Sequence, residues 1–169
     1  SAVDSFTITD TDTTGTLACA ESGADAALLS CSISGTTLTV SWDASPDFET
    51  KADAGSNGVY DYTITVSDGT NDASAVSYAI TVTNVNEAPT VANAISDASH
   101  AEDAAYSLDT SNVFTDVDAG DSCAYTMSGA PGTLSIGASS GEITGTPINA
   151  NVGQHTIQVT CEDDSGLSV

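Results

Sequence analysis

Twenty-four carboxylates share this 169-residue chain with one base, Lys51, giving a formal charge of -23. A compact fold with that charge repels itself. Bound cations or a salty medium must offset the repulsion, and the imbalance alone leaves both open. It does exclude nucleic acid as a partner, because phosphate neutralisation needs Lys and Arg. Attraction to an anionic membrane surface is disfavoured for the same reason. No apolar run approaches the roughly 18–20 residues that span a bilayer, so no membrane insertion is expected. The opening SAVDSFTITD lacks the basic and apolar regions of a signal peptide, so any targeting signal is expected to be removed or to lie elsewhere.

The apolar residues come in short runs with strand periodicity. LTVSW puts Leu38, Val40 and Trp42 on one face and Thr39 and Ser41 on the other. YDYTITVS alternates Tyr60, Tyr62, Ile64 and Val66 against Asp61, Thr63, Thr65 and Ser67, and SYAITVTN repeats the pattern with Tyr78, Ile80 and Val82. A period of two marks half-buried antiparallel strands. Turn signals such as SDGTND and ASSGE separate them. No amphipathic helix is evident, and GADAALLS reads as one short helical turn at most.

The two halves repeat each other. FTDVDAGDSCAY resembles ITDTDTTGTLAC, and HTIQVTCEDDSGLSV resembles YTITVSDGTNDASAVS. Such a repeat means tandem domains. The boundary falls in NVNEAP, where Pro89 cannot continue a ladder. The expected fold is all-β: two tandem Greek-key β-sandwiches, residues 1–88 and 89–169. The first is expected to lack its N-terminal strand and the second its C-terminal strand. That pattern fits an excerpt of a longer array, or a subunit whose open edges are filled by neighbouring chains.

The four cysteines, Cys19, Cys31, Cys123 and Cys161, match no zinc spacing, and there are only two histidines. Two disulfides in an oxidising compartment are the better reading. Of the three connectivities, the domain boundary favours Cys19–Cys31 and Cys123–Cys161.

The acids gather in the loops between strands. One set is Asp47 and Glu49 in SPDFE with Asn84, Asn86 and Glu87 in TNVNEAP. Another is Asp116, Asp118 and Asp121 in TDVDAGD with Glu162, Asp163 and Asp164 in TCEDDSG. In sandwiches joined head to tail these sets are expected to converge on the junction. Crowded carboxylates repel, and a hard cation relieves them. Ca²⁺ accepts six to eight oxygens in flexible geometry, whereas Mg²⁺ demands a stricter octahedron, so Ca²⁺ is the expected cofactor.

In order and spacing these motifs resemble bacterial cadherin-like repeats. SGADAALLS, SPDFETKADAGSNGVYDYTITVSDG and AITVTNVNEAP follow such a repeat nearly end to end. AEDAAYS, FTDVDAGD, GEITGTPINANVG and TIQVTCEDDSG are similar to the dystroglycan-type cadherin-like, or Ig-like, module. The resemblance implies calcium between consecutive domains. It assigns Asp47, Glu49, Asn84, Asn86, Glu87, Asp116, Asp118 and Asp163 to the central junction. Asp10, Asp12 and Asp68 would be the equivalent set at the start of the first domain, and Glu102 would serve a following junction. The linker is shorter than the animal cadherin Asp-x-Asn-Asp-Asn pattern, the first domain lacks its early glutamate, and the second lacks a PDFE-like pair.

The implied protein is no enzyme. It is a secreted or cell-surface segment, stiffened by calcium, that forms part of an adhesin or fibre. Its partners would be neighbouring repeats or identical subunits, and a cell-surface glycan or protein. The alternatives are a filament subunit polymerising by strand complementation and a carbohydrate- or protein-binding module. Other readings fit less well. DTDTTG with Glu21 has EF-hand spacing, with Thr14 at its fifth position, but SFTIT reads as strand where a helix should stand. Trp42 alternates with Leu38 and Val40, which favours packing over sugar stacking. Met127 reads as core filling, and His100 and His155 as surface residues. DTTG and SDGT lack the order of aspartic protease triplets. Glycosidase carboxylates would need a cleft that small sandwiches seldom offer.

Overall fold

The computed structural model describes residues 2–11 and 15–169. It divides into two compact units, Ser1–Val85 and Asn86–Val169. No helix among the described residues is long and apolar enough to cross a membrane.

The first unit holds six strands: β1 (Ala2–Thr7), β2 (Ala18–Ser22), β3 (Leu29–Ser34), β4 (Thr37–Trp42), β5 (Val59–Ser67) and β6 (Val76–Thr81). One sheet runs β1-β4-β3 and the other β2-β5-β6, every pair antiparallel. The alternation read from LTVSW and YDYTITVS sets which faces meet. Val40 is fully buried, and Tyr60, Tyr62 and Ile64 are nearly so. Leu29, Leu38, Val40, Tyr62 and Ile64 form the core, with Phe6, Trp42, Tyr78 and Ile80 packed around it. Aromatic rings join the two sheets: Phe6 meets Tyr78 at 5.1 Å, and Trp42 stands edge-on to Tyr60 at 4.9 Å. Trp42 is therefore a packing residue that stays half-buried. The β3–β4 hairpin turns on Gly35 and Thr36, with Gly35 at φ 60°, a conformation that suits glycine. The helical turn read in GADAALLS is a single 3-10 turn, Ala26–Leu28.

Two buried acids fasten the long loop between β4 and β5. Asp25 accepts the amides of Ala54 and Asp61, each at 2.6 Å. Asp53 accepts those of Asn57 and Gly58 at 2.8 and 3.0 Å. Both side chains are only 3% exposed. Burial pushes the Asp53 carboxyl up, but these amides, its own backbone N–H and the charge of Lys51 outweigh burial and hold it below the ordinary range.

The second unit holds β7 (Thr90–Val91), β8 (Tyr106–Asp109), β9 (Phe114–Thr115), β10 (Ala124–Ser128), β11 (Leu134–Ile136), β12 (Glu142–Gly145) and β13 (Gln158–Glu162). They form a β11-β12-β8 sheet and the pairs β10-β13 and β7-β9. Val113, Phe114, Tyr125 and Cys161 make its core, with Ile136 and Val159 alongside. Met127 is half-buried, while His100 and His155 are exposed. The ASSGE turn is fixed by Gly141 at φ 66°, where a Cβ would press within 3.0 Å of the Tyr125 ring.

The disulfides are Cys19–Cys31, joining the two sheets of the first unit, and Cys123–Cys161 in the second. Glu21, the last ligand of the weighed EF-hand, lies within β2 and accepts the Cys31 amide. A strand therefore stands where that motif needs a helix.

Two outcomes follow. Val40→Ala should cost about 2 kcal/mol, read as a lower urea midpoint with unchanged slope. Asp53 contributes stability above about pH 4, and loses it as pH falls through its lowered value. The gap in urea midpoint between the wild type and Asp53→Asn should be widest near neutral pH and should close in acid.

Candidate metal centre

One end of the second unit gathers acids from two loops. Asp116, Asp118 and Asp121 follow β9, and Asp163 follows β13. The Cys123–Cys161 bond, with Cα atoms 5.1 Å apart, clamps the two loops together. Cys123 lies two residues after Asp121, and Cys161 two before Asp163.

Asp118 and Asp163 are each only 6% exposed. Asp163 accepts the amides of Ser165 and Leu167 and, on its other oxygen, the side-chain amide of Asn86, each at 2.8 Å. Burial pushes its carboxyl up, but the donors from Asn86, Leu167, Ser165 and Gly166 bring it below the usual range. It is thus held as a carboxylate. Asp118 accepts the Glu87 amide at 2.8 Å. Asn86 and Glu87 are thereby tied directly to Asp163 and Asp118.

Asp116 and Asp121 are less completely satisfied. Asp116 accepts the Asp118 amide through one oxygen at 3.0 Å. Its other oxygen, and one oxygen of Asp121, are buried with no hydrogen-bond partner. Burial pushes the Asp121 carboxyl up, and the charges of Asp116, Asp118, Asp164 and Asp163 push it further. One carboxylate oxygen each from Asp116, Asp118 and Asp121 lies within 4.8 Å of the others. Oxygens on opposite sides of a Ca²⁺ ion stand about 4.6–5.2 Å apart, so this spacing suits calcium. The orphaned oxygens are what a cation would satisfy, and the residues fit the ion.

Five residues of the expected ligand set therefore gather here: Asn86, Glu87, Asp116, Asp118 and Asp163. The structure adds Asp121, three positions after Asp118 in the DAGD turn. Its place in that acidic run was the available signal. The remaining expected ligands belong to other segments of the chain. Asp47 and Glu49 occupy the β4–β5 loop of the first unit, where one Asp47 oxygen accepts the amides of Glu49 and Thr50 at 2.9 and 3.1 Å. Asn84 follows β6 and is exposed, as is Glu102 in the turn before β8. Asp68 repeats the Asp163 turn, accepting the amides of Thr70 and Asn71 at 2.7 Å. Asp10 is half-buried. Asp12 and Thr14 lie outside the described residues.

Comparison with known proteins agrees with this architecture. The family model described as "Putative Ig domain" matches residues 88–169. The cis-dimer structure of protocadherin gammaB7 EC3-6 aligns with a TM-score of 0.53 at 18% identity, over 90% of this chain and 38% of that one. Human protocadherin-24 EC1-2 aligns with a TM-score of 0.58 at 18% identity, over 96% of this chain and 78% of that one. No curated protein matches the sequence. The fold is cadherin-like and Ig-like, all-β throughout.

Asp121→Asn removes one of the crowded charges. Without metal at neutral pH it should raise the melting temperature of the second unit by a few degrees. With calcium it should weaken binding roughly tenfold or more, as loss of a metal-site group does. Calorimetry with chelator and with calcium checks both.

Proposed function

We propose that this chain is an extracellular, non-catalytic structural or adhesive segment whose second unit binds calcium. The observation that carries the reading is the pair of buried, unpartnered oxygens on Asp116 and Asp121 beside the buried Asp118 and Asp163. In bulk salt alone these groups would keep their desolvation cost. A bound Ca²⁺ supplies the positive charge that offsets their repulsion. Asp116, Asp118 and Asp121 offer it carboxylate oxygens, while Asp163 and Asp118 hold Asn86 and Glu87 in place. Those two residues open the second unit, so ordering them stiffens the chain where it passes from one unit to the next.

The remaining assignments rest on the family resemblance. By that resemblance Asp47, Glu49 and Asn84 belong with the Asp116 and Asp118 set, Asp10, Asp12 and Asp68 would serve an ion at the start of the first unit, and Glu102 would serve a following junction. A cell-surface setting fits the disulfides and the cadherin-like fold. Neighbouring repeats or like subunits are the proposed partners.

Affinity of roughly 10⁻⁴ to 10⁻³ M is expected for an extracellular module. Calcium at a hundred times its dissociation constant should stabilise the second unit by about 2.7 kcal/mol. The amides of Asn86 and Glu87 should lose fast motion in NMR relaxation as calcium is added. Equal melting curves in calcium and chelator, with unchanged relaxation at both amides, would contradict the proposal.

A further inference from the structure

The internal repeat can be followed position by position through the acidic loops. Setting ITDTDTTGTLAC on FTDVDAGDSCAY matches Asp10 with Asp116, Asp12 with Asp118, Gly15 with Asp121, Leu17 with Cys123 and Cys19 with Tyr125. The turns that close on Asp68 and Asp163 match Val66 with Cys161. Strand pairing agrees, since Cys19 lies opposite Val66 and Tyr125 opposite Cys161. The second unit thus departs from the first twice in one place. It has an added acid, Asp121, where the first has glycine. It also has a covalent bond where the first has Leu17 and Val66, two half-buried apolar residues.

The two departures are physically related. Asp121 stands on the loop after β9, and Asp163 and Asp164 on the loop after β13. Burial pushes the Asp121 carboxyl up, and so do Asp116 and Asp118 on its own loop and Asp164 and Asp163 on the other. Repulsion among these carboxylates acts to part the loops. Ser122 opposes it by donating to Asp164 at 2.9 Å, but both residues are exposed, and a hydrogen bond in water contributes little. The Cys123–Cys161 bond is a firmer restraint, because it is rooted in the core. Cys161 is 1% exposed and packs with Val113, Phe114 and Tyr125. A site already held in its bound shape loses less to ordering when its ligand arrives.

We propose that Cys123 and Cys161 are positioning residues for the calcium site: their bond holds the metal-free loops at the spacing the ion needs, and so raises the affinity. The inference rests on the calcium reading above. Linkage makes the effect reciprocal. If the bonded form binds calcium more tightly than the dithiol form, calcium makes the bond harder to reduce by the same factor. The reduction meant is exchange with a small dithiol. Two electrons and two protons pass to Cys123 and Cys161, which become thiols, and the reagent closes to its own disulfide.

Calorimetry at neutral pH compares calcium binding by the oxidised chain with that of Cys123→Leu combined with Cys161→Val, which gives the second unit the residues of the first. A melting curve in chelator verifies folding, and Cys123→Ala with Cys161→Ala replaces the pair if it fails. The dissociation constant should rise roughly tenfold or more, the scale on which groups that orient metal ligands act. The wild-type chain is then equilibrated in dithiol buffers of graded potential, with and without saturating calcium, and each cysteine is scored by alkylation and mass spectrometry. Calcium should shift Cys123–Cys161 toward the disulfide by the same factor, about 30 mV for tenfold. It should shift Cys19–Cys31, which ties β2 to β3, far less. Unchanged affinity in the folded variant, or equal shifts of both bonds, would overturn the proposal and leave the calcium reading intact. An oxidised chain that binds no calcium would sink both.

Discussion

Repulsion among carboxylates at one end of the second unit is the constraint on which the structure turns. Asp116, Asp118, Asp121 and Asp163 are drawn together by two loops and clamped by Cys123–Cys161. Backbone and side-chain amides satisfy Asp163, and the Glu87 amide reaches Asp118. That supply runs out at Asp116 and Asp121, each left with a buried oxygen lacking a donor. The chain has almost no basic side chains to fill the deficit. A cation from solution is the remaining source of positive charge. On the proposed calcium reading, the same acids that make the metal-free fold costly would make the loaded fold selective for a hard ion.

The two units handle buried charge differently. In the first, Asp25 and Asp53 are as deeply buried as Asp118 and Asp163, but each accepts two backbone amides and fastens a loop. Their role is structural. In the second unit the donors are fewer than the oxygens. A buried acid is therefore a candidate ligand only after its donors have been counted, and burial alone does not distinguish the two cases.

Much of the fold was legible in the sequence because strand alternation is a local signal. Val40, Tyr62 and Ile64 sit on the faces their spacing predicts, and Trp42 joins the packing beside them. Asp116, Asp118 and Asp163 were named from short motifs that occur in order. Asp25 and Asp53 were not picked out as structural acids. Asp25's donors lie 29 and 36 residues away and are main-chain groups, which carry no side-chain pattern. Asp121 went unassigned because the resemblance supplied an Asp-x-Asp pair and stopped there.

The central claim is that the Asp116, Asp118 and Asp121 carboxylates enclose a calcium ion. A crystal structure grown in calcium, with anomalous difference density recorded at long wavelength, tests it most directly. The account predicts a peak about 2.3–2.6 Å from oxygens of all three residues, including the two oxygens that lack donors. Density showing only water there, with the carboxylates turned toward solvent, would contradict it.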